Sequence, residues 1–170
     1  MTLPRQARDA LGPEDVLAFA RERGVEAELV APGVPMPTVP LAAAAVGVRD
    51  EQILKSLVFS DRTGALVLVI ACGTAKVDRA RLADAAGLDR PRLADAATVL
   101  AATGYPAGGV PPVGHRTRLP VVMDRRAAAL AVAYGGGGTE ETLLRIRPAD
   151  ILRLSGGTVA EIVTDGAGER

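Results

Sequence analysis

The sequence contains no tryptophan, two tyrosines and two phenylalanines, so aromatics make up 2% of its 170 residues. A platform that stacks single-stranded bases on aromatic rings is therefore close to excluded. There is one cysteine, Cys72, which cannot close an internal disulfide. The only histidine is His115, so no metal cluster of Cys, His and carboxylate and no Cys-His or Ser-His-Asp relay can be assembled. Charge of one sign is also missing: 20 basic residues meet 20 acidic ones. With no global positive field, a polyanion would have to be met by a local patch. Long hydrophobic runs are absent too. The longest, Ala65 to Cys72, falls well short of the roughly 18 to 20 residues a membrane span needs. The amino end, with Arg5, Arg8 and Asp9, has no apolar signal-peptide core, which makes the cytoplasm the expected address.

What is present is a chain that is 48% hydrophobic, long enough for one domain with a core of Ala, Val, Leu and Ile. Residues 13–24 read as a helix, with Pro13 in its first turn, Glu14 and Asp15 at the positive dipole end, Gly24 as its stop and Val16, Leu17 and Ala20 buried. A short strand is expected over residues 26–30. A second helix is expected from Thr38, whose hydroxyl can cap it, to Gly47. Strands over 53–59 and 66–71 flank a hairpin turn at 61–64, and the second is apolar on both faces, as a strand covered on both sides should be. Asp78 can cap a helix that runs to Gly87 with Leu82, Ala83 and Ala86 inward, and another helical pattern spans residues 91–102. Further strands are expected at 119–123, 130–134, 143–146 and 159–163, with a helical turn at 148–152. The pattern predicts one α/β domain over residues 1–170, with a mixed, partly barrel-like sheet surrounded by helices. Residues 1–12 and 166–170 are expected to fray.

Three features could carry chemistry. Alternation along 53–59 puts Lys55 on the face of Ile53, Leu57 and Phe59, so a cation stands in an apolar row. It must reach solvent, find a carboxylate or line a cleft, unless it is an edge-strand lysine that blocks aggregation. Of the twenty basic residues only Lys55 and Lys76 are lysine, which suggests a need for a compact ammonium that a planar guanidinium would not meet. The second feature is residues 103–114, Thr-Gly-Tyr-Pro-Ala-Gly-Gly-Val-Pro-Pro-Val-Gly. Its glycines allow close backbone approach to a ligand and its prolines stiffen the loop, so it can present N–H donors, although ordinary surface loops share this composition. The third is the run Gly135 to Gly138, which has neither the lysine of a P-loop nor the spacing of a dinucleotide fingerprint. Cys72 reads as a core residue and His115 as a solvent-facing loop residue.

Taken together, Lys55-Ser56-Leu57 on an early strand, Gly73 and Asp78 before a helix, Thr103-Gly104-Tyr105, residues 108–114, Asp124 at a strand end and the glycine turn resemble the YbaK and prolyl-tRNA-synthetase-associated editing domain over about residues 38–163. The resemblance implies a deacylase that hydrolyses, in trans, the ester between a small amino acid and a tRNA terminal adenosine. Proline tRNA carrying alanine is the expected substrate. It implies that Lys55 holds the substrate near the 3′ nucleotide, that Gly108, Gly109, Val110 and Pro112 line the amino-acid pocket through a Gly-x-x-x-Pro element, and that Thr38, Ser56, Asp124, Gly136 and Gly137 contribute to binding. Cysteine-specific members place a serine within Ser-Gly-Gly, where this chain has only glycine. No cofactor or metal is implied, because an aminoacyl ester is already activated and positioning with backbone N–H donors can suffice. Arg116, Arg118, Arg125 and Arg126 flank the proposed pocket in sequence and could meet phosphates of the tRNA acceptor end, or could be a solvated basic face. Prolyl-tRNA synthetase is an expected partner, and membrane and DNA are not. The competing readings are a non-catalytic module that binds aminoacyl ligands or tRNA, and a small-molecule binder whose glycine loops hold a carboxylate or phosphate.

Overall fold

A computed structural model describes residues 10–164. The ends expected to fray lie outside these residues except for 10–12. Helix α1 (Pro13–Glu22) starts where Gly12 N–H donates to the Asp15 carboxylate at 2.7 Å, and it buries Val16 and Ala20. After β1 (Glu28–Val30), Thr38 Oγ1 accepts from Leu41 N at 3.3 Å and caps α2 (Val39–Val46), which Gly47 ends in the left-handed conformation. The hairpin of β2 (Leu54–Ser60) and β3 (Leu66–Cys72) turns at Asp61, whose carboxylate accepts from Thr63 N, Thr63 Oγ1 and Ala65 N. β4 (Lys76–Val77) leads to Asp78, which caps α3 (Arg79–Ala86). The elements β5 (Arg92–Leu93), α4 (Ala96–Thr103), β6 (Val121–Asp124), α5 (Arg125–Ala128), β7 (Ala133–Gly136), β8 (Leu143–Ile146), α6 (Pro148–Ser155), β9 (Thr158–Ala160) and β10 (Val163–Thr164) follow.

The strands form a mixed five-stranded sheet in the order β5-β2-β3-β6-β9, with β3, β6 and β9 parallel and the hairpin and β5 antiparallel. A three-stranded antiparallel sheet, β1-β8-β7, stands beside it and is linked to the chain just before β2 through an isolated parallel bridge between Ile53 and Tyr134. One face of the large sheet, carrying Leu54, Val58, Leu68, Ile70 and Met123, packs with Tyr105, Leu144 and Ile146. The other, carrying Phe59, Val67, Val69, Ala71 and Val122, packs with Leu82 and Ile162. β3 is thus covered on both sides, as its composition requires.

Four expectations are corrected. The strands form three sheets rather than one, and the mixed sheet does not close into a barrel. The expected final strand over 159–163 is two strands: β9 pairs with β6, and β10 pairs with β4 in a sheet of its own. The chain switches sheets where Ile162 N donates to Asp124 Oδ1 at 3.1 Å. The pattern over 91–102 begins as a strand, because Arg92 and Leu93 pair with Ser60 and Phe59, and the helix starts only after Asp95, whose carboxylate accepts from Thr98 N at 2.8 Å. Finally, the strand expected at 130–134 lies three residues later, at Ala133–Gly136, and so carries half of the glycine run into the sheet.

Candidate functional site

The start of β2, the end of β3 and the end of β6 meet at one end of the large sheet. Leu54 is opposite Cys72 in the hairpin, and the parallel register Ile70 to Met123 brings the end of β3 beside Asp124. The Cys72 thiol records this convergence. Burial and the Asp124 carboxylate push its pKa up, while Arg126 and Lys55 pull it down. In open α/β sheets ligands gather outside the carboxyl ends of parallel strands, which here are the ends of β3 and β6.

Lys55 stands at this end, half-buried, with Nζ donating to the Ala75 carbonyl at 2.7 Å. Burial pushes the ammonium below the ordinary lysine value of 10.5, and the Cys72 thiol partly opposes that shift. No ion pair involves Lys55 among the described residues, so one carbonyl satisfies one of its three donors. β2 lies inside the sheet, yet β5 covers only Phe59 and Ser60, and no strand pairs with Leu54 to Leu57 on that edge among the described residues. Ser56 points to the opposite face from Lys55, as alternation demands, and its Oγ is buried without a hydrogen-bond partner among the described residues.

The two glycine segments clasp each other beside β2. Gly138 N donates to the Gly109 carbonyl at 2.9 Å, and Gly109 N donates to the Pro106 carbonyl. A side chain at Gly136 would collide with the Val110 carbonyl oxygen, one at Gly137 would come within 2.8 Å of the Thr142 backbone, and one at Gly135 would meet the Pro112 ring at 3.1 Å. Gly135 also lies beside Leu54. At Gly136 and Gly137 the space freed by the missing side chains is therefore filled by neighbouring backbone. Gly108 is exposed with φ of 91°, Gly109 and Val110 are buried, and Pro112 is the contact between the loop and the turn.

The remaining expected residues fall into two groups. Thr38 is exposed and caps α2, whose buried Ala42 and Ala43 pack with Ile53, Leu143 and Tyr134 over the bridge between the sheets. Asp124 is 2% exposed, and its two carboxylate oxygens accept from Ile162 N at 3.1 Å and Arg126 N at 3.0 Å, which leaves it a positioning residue for the sheet end. Arg125 and Arg126 follow it directly, and Arg125 pairs with Glu161 at 3.1 Å. Arg116 and Arg118 precede β6 instead, so the four arginines sit in two places at opposite ends of that strand and do not form one patch. Arg79, Arg81 and Glu161, which the sequence did not single out, line a cleft of about 830 Å³ with Asp124, Arg125 and Arg126. The only signal for them was the Arg79-Ala80-Arg81 repeat just after the Asp78 cap. His115 is corrected: it is not solvent-facing, since Nε2 lies 2.6 Å from the Pro111 carbonyl and the ring meets Tyr105 edge-on.

Cys72 is buried, as expected of a core residue. Among the described residues no three His, Cys, Asp or Glu side chains come together as metal ligands, and no helix is long and apolar enough to cross a membrane.

The aminoacyl-tRNA editing domain profile matches residues 34–154. The chain is 30% identical over 123 residues, 72% of its length and 74% of the relative's, to a candidate Cys-tRNA(Pro)/Cys-tRNA(Cys) deacylase of Enterococcus faecalis. It is 29% identical over 106 residues to a proline–tRNA ligase of Pelobacter propionicus, of which the match spans 18%. Among solved structures, a candidate trans-editing enzyme for prolyl-tRNA synthetase superposes with a TM-score of 0.79 at 32% identity, covering 96% of this chain and 100% of that one. The hypothetical protein APE2540 does so with a TM-score of 0.82 at 34% identity, covering 88% and 99%.

Proposed function

The chain belongs to the aminoacyl-tRNA editing domain family, and from that premise we propose that it hydrolyses, in trans, the ester of mischarged tRNA, with proline tRNA carrying alanine or another small amino acid as substrate. The observation that carries this reading is Lys55: a half-buried ammonium, tethered to the Ala75 carbonyl and without another partner among the described residues, at the sheet end where β2, β3 and β6 converge. Its remaining donors can hold the ribose or phosphate of the terminal nucleotide. The ester carbonyl is placed against the loop of Gly108, Gly109, Val110 and Pro112, which the clasp on the glycine turn holds in place, and the oxyanion donors would be Gly108 N and Val110 N, since Gly109 N is bonded to the Pro106 carbonyl. Water adds to the carbonyl carbon, the ester C–O bond breaks, and the ribose oxygen leaves with a proton, giving a free amino acid and tRNA. No side-chain nucleophile is invoked; catalysis is positioning plus charge stabilisation of an already activated ester.

The unpartnered Ser56 hydroxyl, on the opposite face of β2, supports a role for this strand in binding as well as catalysis. Asp124 contributes by holding Ile162 and the start of α5. Arg125 and Arg126, at the same sheet end, are the arginines placed to meet acceptor-stem phosphates. Delivery of the tRNA by prolyl-tRNA synthetase is part of the same proposal. The competing reading, a module that binds aminoacyl-tRNA without cleaving it, has one observation in its favour: no general base lies within hydrogen-bond reach of Lys55 among the described residues.

The test is single-turnover deacylation of proline tRNA charged in turn with alanine, cysteine, serine and proline. Selective loss of one mischarged species, slowed about 100-fold or more by Lys55→Ala, is the expected result. Survival of all four esters while the tRNA still binds would replace catalysis with binding.

A further inference from the structure

We propose that a cleft at the other end of β6 from Lys55 is a separate binding site for a phosphate-bearing anion. The cleft, about 300 Å³, lies between the end of α1, the loop over 112–119 and the end of α6. That volume suits a pyrophosphate or a mononucleotide headgroup rather than a large ligand. Arg23, Arg116 and Arg118 all line it, and no Asp or Glu does. In a chain whose charges balance overall, such a one-sided wall is a local concentration of positive charge.

The three arginines come from different parts of the chain. Arg23 lies 3.6 Å over the Phe19 ring, and its Nη1 donates to the Phe19 carbonyl at 3.0 Å. The exposed Glu22 approaches it only to 3.9 Å, a contact that solvent screens. Arg116 is fixed through its backbone, which donates to the Thr103 carbonyl at 2.9 Å. Arg118 reaches across to the end of α6, where its Nη2 is 3.6 Å from the position a Gly156 side chain would take, and the helix dipole there favours a cation. Neither Arg116 nor Arg118 enters an ion pair among the described residues. Hydroxyl donors complete the wall. Ser155 Oγ accepts from Gly157 N at 3.1 Å, which leaves its own proton to donate, and Thr117 stands between the two arginines. The floor is apolar, with Val113, Leu119 and Leu154, so an anion there would meet its donors at reduced dielectric. Guanidiniums lining one cleft without a carboxylate suit the oxygens of a phosphate better than a single-charge ligand.

The site also touches the editing loop. Pro112 lines the cleft while its ring packs on Gly135, and the His115 ring that lines it is bonded to the Pro111 carbonyl. An anion bound there would tie α1, this loop and α6 together from behind.

The phosphate could belong to a free small molecule or to an RNA backbone, and two probes separate these sources. The full chain is titrated calorimetrically at low salt with pyrophosphate, and separately with an uncharged RNA acceptor-stem hairpin, using wild type, Arg116→Gln, Arg118→Gln and Arg145→Gln. Arg145 is exposed on β8, away from the cleft, and controls for loss of one charge. Thermal melts check that each variant folds. Saturable pyrophosphate binding that weakens about tenfold in Arg116→Gln and Arg118→Gln and not in Arg145→Gln supports the site with a free phosphate ligand. The same pattern with the hairpin alone, with the salt slope falling by about one, supports it with an RNA phosphate. Absence of binding by both probes, or equal weakening in all three variants, overturns it. No step measures ester hydrolysis, so the result is independent of the assignment of Lys55.

Discussion

A partly buried base shifts its protonation in a direction that can be measured, and His115 is the case in this chain. Its Nε2 must carry the proton that the Pro111 carbonyl accepts, and burial pushes the imidazole pKa below the ordinary 6.5, with that hydrogen bond partly opposing. Between the folded value and 6.5 the unfolded chain binds a proton that the folded chain does not, so stability rises with pH across this window. The contribution is complete above about pH 6.5 and is lost as the pH falls through the folded value. Urea titrations between pH 7.5 and 5 should show wild type losing stability as the solution is acidified and His115→Gln losing less. Parallel curves would remove His115 as the cause. This partial burial was not legible, because residues 104–114 read as a Gly/Pro-rich loop with His115 as a solvent-facing loop residue beside it, and the contacts of the ring with Tyr105 and the Pro111 carbonyl appear only in the fold. The place of Lys55 on β2 was legible for the opposite reason: strand alternation is a local fact, and it put this cation in an apolar row without any knowledge of the fold.

At the scale of elements, the glycine turn acts as a fitted part. Gly136→Ala brings a methyl group against the Val110 carbonyl, and backbone cannot swing aside as a side chain can. A loss of about 2 kcal/mol in unfolding free energy, or more, is expected, together with a drop in deacylation as the loop is pushed out of place. Gly135→Ser should be milder, since its neighbour is the Pro112 ring at 3.1 Å. Its effect should appear in the preference among alanine, cysteine and serine esters more than in the melt. If Gly136→Ala melts with wild type, the clasp is not structural. The caps Thr38, Asp78 and Gly47 could be read from sequence because capping is decided within four residues. The strand at Arg92–Leu93 could not, since only pairing with Phe59 and Ser60 makes two exposed residues a strand. The same holds for the divided end, where one carboxylate, Asp124, decides where β9 stops.

At the scale of the molecule, balanced charge sets the expected response to salt. With 20 charges of each sign, no long-range field draws in a polyanion, so under the proposed function tRNA binding would rest on a few local arginines. Raising salt from 50 to 200 mM should therefore increase KM for mischarged tRNA more than it lowers kcat, with Arg125→Gln and Arg126→Gln reducing the slope. A KM that ignores salt would remove the arginines from the interface. The α/β class and the order of most elements were legible because hydrophobic period and turn residues are distributed along the whole chain. The division into three sheets was not, because sheet membership is a property of pairs far apart in sequence. That distance has a consequence for synthesis. The parallel neighbours β3, β6 and β9 are separated by long stretches of chain, and Asp124 waits for its donor until Ile162 has been made. On the ribosome, where the chain emerges from its amino end, the sheet end that holds Lys55 stays unfinished until the last strands appear. Until β9 has emerged, β6 presents an unpaired apolar edge, which makes the nascent chain prone to aggregate during that interval.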